Sequence, residues 1–376
     1  DINANEIQFM TRTHRRVKLL KRSSFDRADV EIRRYKKGVR IGKIKAVIHL
    51  PDGGKIELKG RDIIKEDEDE EYEVIKFTFP QVTEGAIIEY TYTRFSDYWR
   101  VLPKYFFQEN IPVRWAEYQI SIPEYFNYVS LSNATGRWDV NEKTKTNGSF
   151  GSSDVVLSKT RNVLRDMAAY DTEENTNNFS DYIPHIYLQL SGIRWPQRPY
   201  DPFLKDWPSL AKELADAESF GKAFNSTADV RKVLDDIADD LAAATTDMEK
   251  VNAAYQAITK RIKWNGEYSY YADEKLNKVW QEGKGNSTEP NLILLGVLKE
   301  MGIKAEPLLV GLRNSGNPVT VYPVITQFDH TMVLAKIKGR EIILDAGSSY
   351  RPIGLPRYQA MNGQAWVPNP DNPRWV

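Results

Sequence analysis

Four prolines, Pro196, Pro199, Pro202 and Pro208, fall within the stretch RWPQRPYDPFLKDWP and divide the chain into two regions of different periodicity. Proline locks its own φ and pushes the preceding residue away from helical backbone, so regular structure is expected to lapse there. What lies before these prolines alternates with period two. Most of what lies after them repeats with helical spacing. A chain so divided predicts two domains, and its 376 residues suit two better than one.

The first region reads as short strands joined by polar turns. VEIRRYKKGVRIGKIKAVIHL and KIELKG flank the turn PDGG, and VIKFTFP and AIIEYTYT flank QVTEGA as a second hairpin. WAEYQISIP and YVSLS continue the rhythm to about residue 195. This predicts an antiparallel, sandwich-like β domain over 1–195. The acidic run KEDEDEEYE has no EF-hand spacing and reads as a solvated loop.

Charge and cysteine content narrow the function. Lysine plus arginine and aspartate plus glutamate both number 52, so no global field draws the chain to nucleic acid or an anionic membrane. The aromatic residues are spread over strands with no basic stripe among them, a second argument against nucleic-acid binding. No run reaches transmembrane length. The absence of cysteine excludes disulfides, zinc–thiolate sites and a thiol nucleophile. No clustered metal-ligand motif occurs, and GKGNST lacks the spacing of a phosphate loop, so neither metal nor cofactor is expected. The Asn-x-Ser/Thr triplets at Asn133, Asn147, Asn178, Asn225 and Asn286 read as chance.

Beyond a Pro-rich linker and helix at 196–225, helical signals dominate. Ser226 with Asp229, and Thr246 with Glu249, have capping-box spacing. Stripes Val230, Val233, Leu234, Ile237, Leu241 and Val251, Ala254, Ile258, Ile262 follow them. ADEKLNKVWQEG is a shorter helix. Glu289–Met301, closed by Gly302, carries almost no polar face and must be buried. Strands AEPLLVG, HTMVLAKI and REIILDA finish the region, the last two joined at Lys338-Gly339. The second domain is therefore α+β, over 226–356, with 357–376 left as a stub or linker.

That two-residue turn sets a register. If Ile337 faces Arg340, Met332 lies opposite Asp345 and His330 shares their face, so His330 and Asp345 become diagonal neighbours roughly 7 Å apart. Ser287 stands just before the buried helix, where free N–H groups and the positive dipole end gather. That placement suits a nucleophile with an oxyanion site, and equally a simple helix cap. His14, His49 and His185 have no carboxylate pattern around them and read as structural or exposed.

GNSTEPNLILLGVLKEMGIKAEPLLVG and HTMVLAKIKGREIILDAG resemble the core of the transglutaminase-like superfamily, related to papain. The resemblance places Ser287 where the nucleophilic cysteine stands, His330 at the general base and Asp345 at the orienting acid. The strand motifs over about 20–195 are similar to a β domain of unknown function that often precedes such domains in Gram-negative secreted proteins. It implies export to the periplasm or cell surface. Serine in place of cysteine implies a silent site, because a hydroxyl does not ionise beside histidine as a thiol does. The expected function is a pseudoenzyme that binds a polypeptide or glycan. The alternative is serine-type acyl transfer or amide hydrolysis by Ser287, His330 and Asp345.

Overall fold

A computed structural model describes residues 7–100, 102–133, 138–171, 178, 181–347 and 351–376. It is β-rich in its first part and mixes helices with strands in its second, as the periodicities predict. It divides into two compact units, 1–103 with 151–153, and 104–150 with 154–376. The division falls at 103/104 rather than at 195. Strands between 104 and 193 cluster with the α+β region.

The first unit is a two-sheet sandwich. Strands β1 (Phe9–Lys18), β3 (Val39–Ile41), β4 (Lys45–His49), β5 (Lys55–Glu57) and β8 (Ile87–Ser96) form one sheet, with β8 paired to β1 on one side and to β3 and β4 on the other. Strands β2 (Asp29–Tyr35), β6 (Ile64–Asp67) and β7 (Tyr72–Thr78) form the other. Ile32, Ile48, Ile75, Phe77 and Ile88 are buried in one cluster between them. The expected PDGG hairpin pairs β4 with β5. The expected QVTEGA hairpin does not form: β7 and β8 lie in different sheets, because each strand offers its apolar face to the same core from opposite sides. Nor is the acidic run wholly loop. Its first residues belong to β6, where Lys76 sits between Glu66 and Glu31 and so tolerates the acids in a strand.

In the second unit, strands Val113–Pro123, Val140–Phe150 and Ser153–Met167 form one small sheet. Strands Phe126–Ser130, Leu188–Ile193 and Asp201–Pro202 form another. The proline stretch is therefore part of the fold. Helix Trp207–Asp216 starts within it, capped by Asp206, whose carboxylate accepts from Ser209 N at 2.7 Å. Trp207 packs on Trp366 and Trp375 with ring centres 4.6 and 5.2 Å apart.

Thr246 and Glu249 form the expected capping box at the head of helix Asp247–Arg261. Ser226 does not cap by side chain. Its hydroxyl bonds Asp229, and the following helix breaks at Ile237 into Thr227–Asp236 and Ala238–Leu241. The central helix, Glu289–Glu300, is buried at every position from Glu289 to Leu298. Its Gly296 lets a neighbouring helix approach: a β-carbon there would lie 2.6 Å from Val230 Cγ2 and 2.7 Å from the Phe224 carbonyl oxygen.

The final sheet is antiparallel, ordered 340–344, 330–337, 305–310, 366–367, 374–375. Ile337 pairs with Arg340 as expected, and Lys338 and Gly339 both take positive φ, the requirement of a two-residue hairpin loop. Residues 357–376 are not a stub: strands Trp366–Val367 and Arg374–Trp375 extend the sheet, and Trp366 is fully buried. Trp366→Ala should therefore cost about 3–5 kcal/mol of stability, read as a lowered midpoint of urea unfolding. A change under about 1 kcal/mol would show this edge to be peripheral.

Candidate functional site

Three chain segments meet at the head of the central helix. The turn Asn286-Ser287-Thr288 enters it, His330 opens the strand His330–Ile337, and Asp345 follows the strand Arg340–Leu344. Ser287 and His330 are completely buried and Asp345 almost so. His330 Nδ1 lies 3.1 Å from Ser287 Oγ, and His330 Nε2 lies 3.2 Å from Asp345 Oδ1. The hairpin register accounts for the second contact, since both side chains leave one face of the sheet.

Burial lowers the pKa of His330, favouring the neutral ring. Neutral imidazole fits the geometry: Nε2–H donates to Asp345, and Nδ1 accepts from the Ser287 hydroxyl. This is the reverse of the serine-protease triad, in which Nε2 faces the serine. Burial also opposes ionisation of Asp345, but His330 and Arg357 overcome it and hold the carboxyl well below the ordinary carboxylate range. Arg357 binds Asp345 in a two-pronged pair, Nε to Oδ2 at 2.8 Å and Nη2 to Oδ1 at 2.9 Å, with its own N–H adding a bond at 3.1 Å. Sequence reasoning left Arg357 in the stub. Its role depends on a fold-back that no local pattern announces.

Ser287 is not a helix cap. Asn286 does that work: its Oδ1 accepts from Thr288 N at 2.9 Å and Glu289 N at 3.0 Å. Asn291, one turn along, donates to the Ser287 carbonyl at 3.1 Å and accepts from Ala346 N at 2.7 Å, tying the helix to the Asp345 turn. Tyr255 donates to the Asp345 carbonyl at 2.8 Å from the neighbouring helix.

The segment 264–274 closes over the serine. Ser287 N donates to the Glu267 carbonyl at 3.0 Å. Ser269 N donates to Ser287 Oγ at 3.3 Å. The Ser269 carbonyl accepts from the Thr288 hydroxyl, the Tyr270 carbonyl from Thr331 Oγ1 at 2.7 Å, and the Tyr271 carbonyl from Asn286 Nδ2 at 3.0 Å. Glu289 fastens the far end, accepting from Asp273 N at 3.0 Å, Glu274 N at 2.9 Å and Asn286 N at 2.8 Å. Burial raises the pKa of Glu289 even so. The Ser287 amide, the donor that an oxyanion would need, is thus already bonded to protein. Trp264 and Tyr268 form the outside of this strap, ring centres 5.0 Å apart, and Tyr268 lies between Arg357 and His330. The pattern KWNGEYSYYADEK gives no sign of such a role, because backbone groups make most of the contacts.

Among the described residues, no group of histidine, aspartate and glutamate is placed to hold a metal ion. His14 and His49 both face Glu89, at 2.9 and 3.0 Å, on a sheet of the first unit, so these histidines have the carboxylate partner that the sequence did not suggest. His185 is buried, its Nδ1 3.0 Å from the Ile183 carbonyl. No helix among the described residues is long and apolar enough to cross a membrane.

Residues 8–149 match the family model for a domain of unknown function with a solved structure, DUF3857. The fold is similar to that of a protein named a "putative protease" from Parabacteroides distasonis, with TM-score 0.61 and 14% identity over 98% of this chain and 68% of that one. A protein named a "putative cysteine protease" from Cytophaga hutchinsonii aligns at 10% identity over 91% of this chain and 79% of that chain, with TM-score 0.22. No curated protein matches in sequence. The likeness to the Parabacteroides protein is one of fold; in this chain a β-rich part precedes an α+β part.

Removing Arg357 would leave a buried carboxylate with too few partners. Arg357→Met should cost about 3–5 kcal/mol by chemical unfolding, far more than removal of an exposed arginine. Because Asp345 has its pKa depressed on folding, its contribution is complete above the unfolded value near 4 and fades as pH falls below it. Stability measured through that range should therefore drop less steeply in Asp345→Asn than in the parent.

Proposed function

We propose that the protein is a non-catalytic relative of transglutaminase-like and cysteine-protease-like enzymes, acting outside the cytoplasm by binding a polypeptide or glycan. One observation carries this reading: Ser287 is wholly buried beneath the 264–274 strap, with its amide spent on the Glu267 carbonyl. A substrate carbonyl must approach Oγ and find donors at the same time. Here the strap occupies both the hydroxyl and the amide. The residue type agrees, since a serine needs strong general-base help where a thiol needs little.

In this reading His330, Asp345 and Arg357 serve structure. They pair one another's polar groups at the junction of helix, hairpin and C-terminal fold-back, which a buried site demands whatever its activity. Their position still marks the origin of the fold, with a histidine between a nucleophile position and an acid. Serine-type acyl transfer by Ser287, with His330 as base and Asp345 as orienting acid, is the second reading. The 3.1 Å contact between Oγ and Nδ1 favours it. That chemistry would require displacement of the strap.

The two separate by labelling. The native protein, incubated with a fluorophosphonate, should carry no adduct on Ser287 by peptide mass spectrometry. Ser287→Cys should resist iodoacetamide in the native state and react only after denaturation. A stoichiometric phosphonyl adduct on native Ser287, lost in His330→Ala, would establish the catalytic reading instead.

A further inference from the structure

The first unit carries a charge pattern that the linear sequence hides. In β1 every second residue from Arg12 points away from the sandwich core, so Arg12, His14, Arg16 and Lys18 line one exposed edge. Alternate residues of a strand are roughly 7 Å apart, which makes this a straight row of about 20 Å. Register extends the row across the sheet. Lys45 lies opposite Thr91, itself opposite His14, and Lys55 lies opposite His49. Arg40 sits opposite Phe95 with its guanidinium 4.0 Å over that ring. Against these six arginines and lysines, the paired strand positions of the same face carry two carboxylates, Glu57 and Glu89; Glu89 is engaged by His14 and His49 and lies 3.8 Å from Arg16. A chain with a formal net charge of zero has gathered a surplus of positive charge on one flat, exposed sheet face.

We infer that this face binds a linear acidic polysaccharide, laid along β1 with its carboxylates or sulfates over Arg12, Arg16 and Lys18. The inference names a ligand class and a site for the binding role proposed above, but it does not depend on the state of Ser287. Charge complementarity selects a polyanion, and the row selects a linear one over a lipid surface. Among the described residues, the first unit has no α-helix to enter a groove. Phe95, the aromatic ring on it, is covered by Arg40 rather than open to stack on a base. A sugar acid needs neither feature. Its regularly spaced charges need cations at regular spacing, which an edge strand provides.

The whole protein is tested for binding to polygalacturonate and heparin, with dextran, a single-stranded oligonucleotide and phosphatidylglycerol vesicles alongside. The expected result is binding to the acidic polysaccharides, none to dextran, and at least tenfold weakening as salt rises past the screening range. Arg12→Gln/Arg16→Gln/Lys18→Gln should weaken it at least tenfold with an unchanged melting temperature. Lys45→Gln/Lys55→Gln should weaken it less, and Lys232→Gln, on the second unit, not at all. Absence of binding, indifference to the triple substitution, or tighter binding of the oligonucleotide or vesicles would overturn the inference. The phosphonate result at Ser287 is read separately, so failure of either leaves the other standing.

Discussion

The paired carboxylate of Asp345 organises the second unit. Burying a charge is costly unless its partners are complete, and here they come from three residues. Arg357 arrives from the C-terminal fold-back, His330 from the start of the adjacent strand, Gly347 N from the next turn, and Arg357 N from its own backbone. Each partner is pinned in turn. His330 holds Ser287, and the neighbouring Ala346 is tied to Asn291 in the central helix. One ionised group thus sets the mutual positions of helix, hairpin and C-terminal segment.

The same network explains why a serine–histidine–aspartate arrangement and a closed site coexist. The contacts that would orient a catalytic imidazole also satisfy a buried imidazole with no reaction to perform. The strap adds backbone bonds at Ser287, Thr288, Thr331 and Asn286, and Glu289 anchors its end by accepting from backbone N–H groups. The carboxylate of Glu289 relies on three N–H donors, an arrangement that holds loop and helix entrance together as one piece.

Much of this was legible from spacing. The Lys338-Gly339 turn, with its demand for positive φ, set the hairpin register and brought His330 and Asp345 to one face. The unrelieved apolar run Leu292 to Leu298 announced a buried helix. Other readings failed because local pattern is silent on partner choice. QVTEGA joins two strands that alternate alike, yet they enter different sheets. Arg357 and Trp366 sit in a proline- and asparagine-rich tail whose composition suggests a linker, while long-range packing draws both inside. Ser287 has the residue type of a cap, but Asn286 reaches the helix amides first.

By itself, the sequence determined the division into a β-rich and an α+β part, the central helix, the hairpin with its register, and the absence of any thiol. These follow from periodicity, turn chemistry and residue type, which act over a few residues. Only the tertiary structure decided where the units divide, which arginine neutralises Asp345, that a strap seals Ser287, and that scattered cations share one sheet face. Those depend on which distant segments pack together, and packing is chosen by the summed burial and hydrogen bonding of the whole chain.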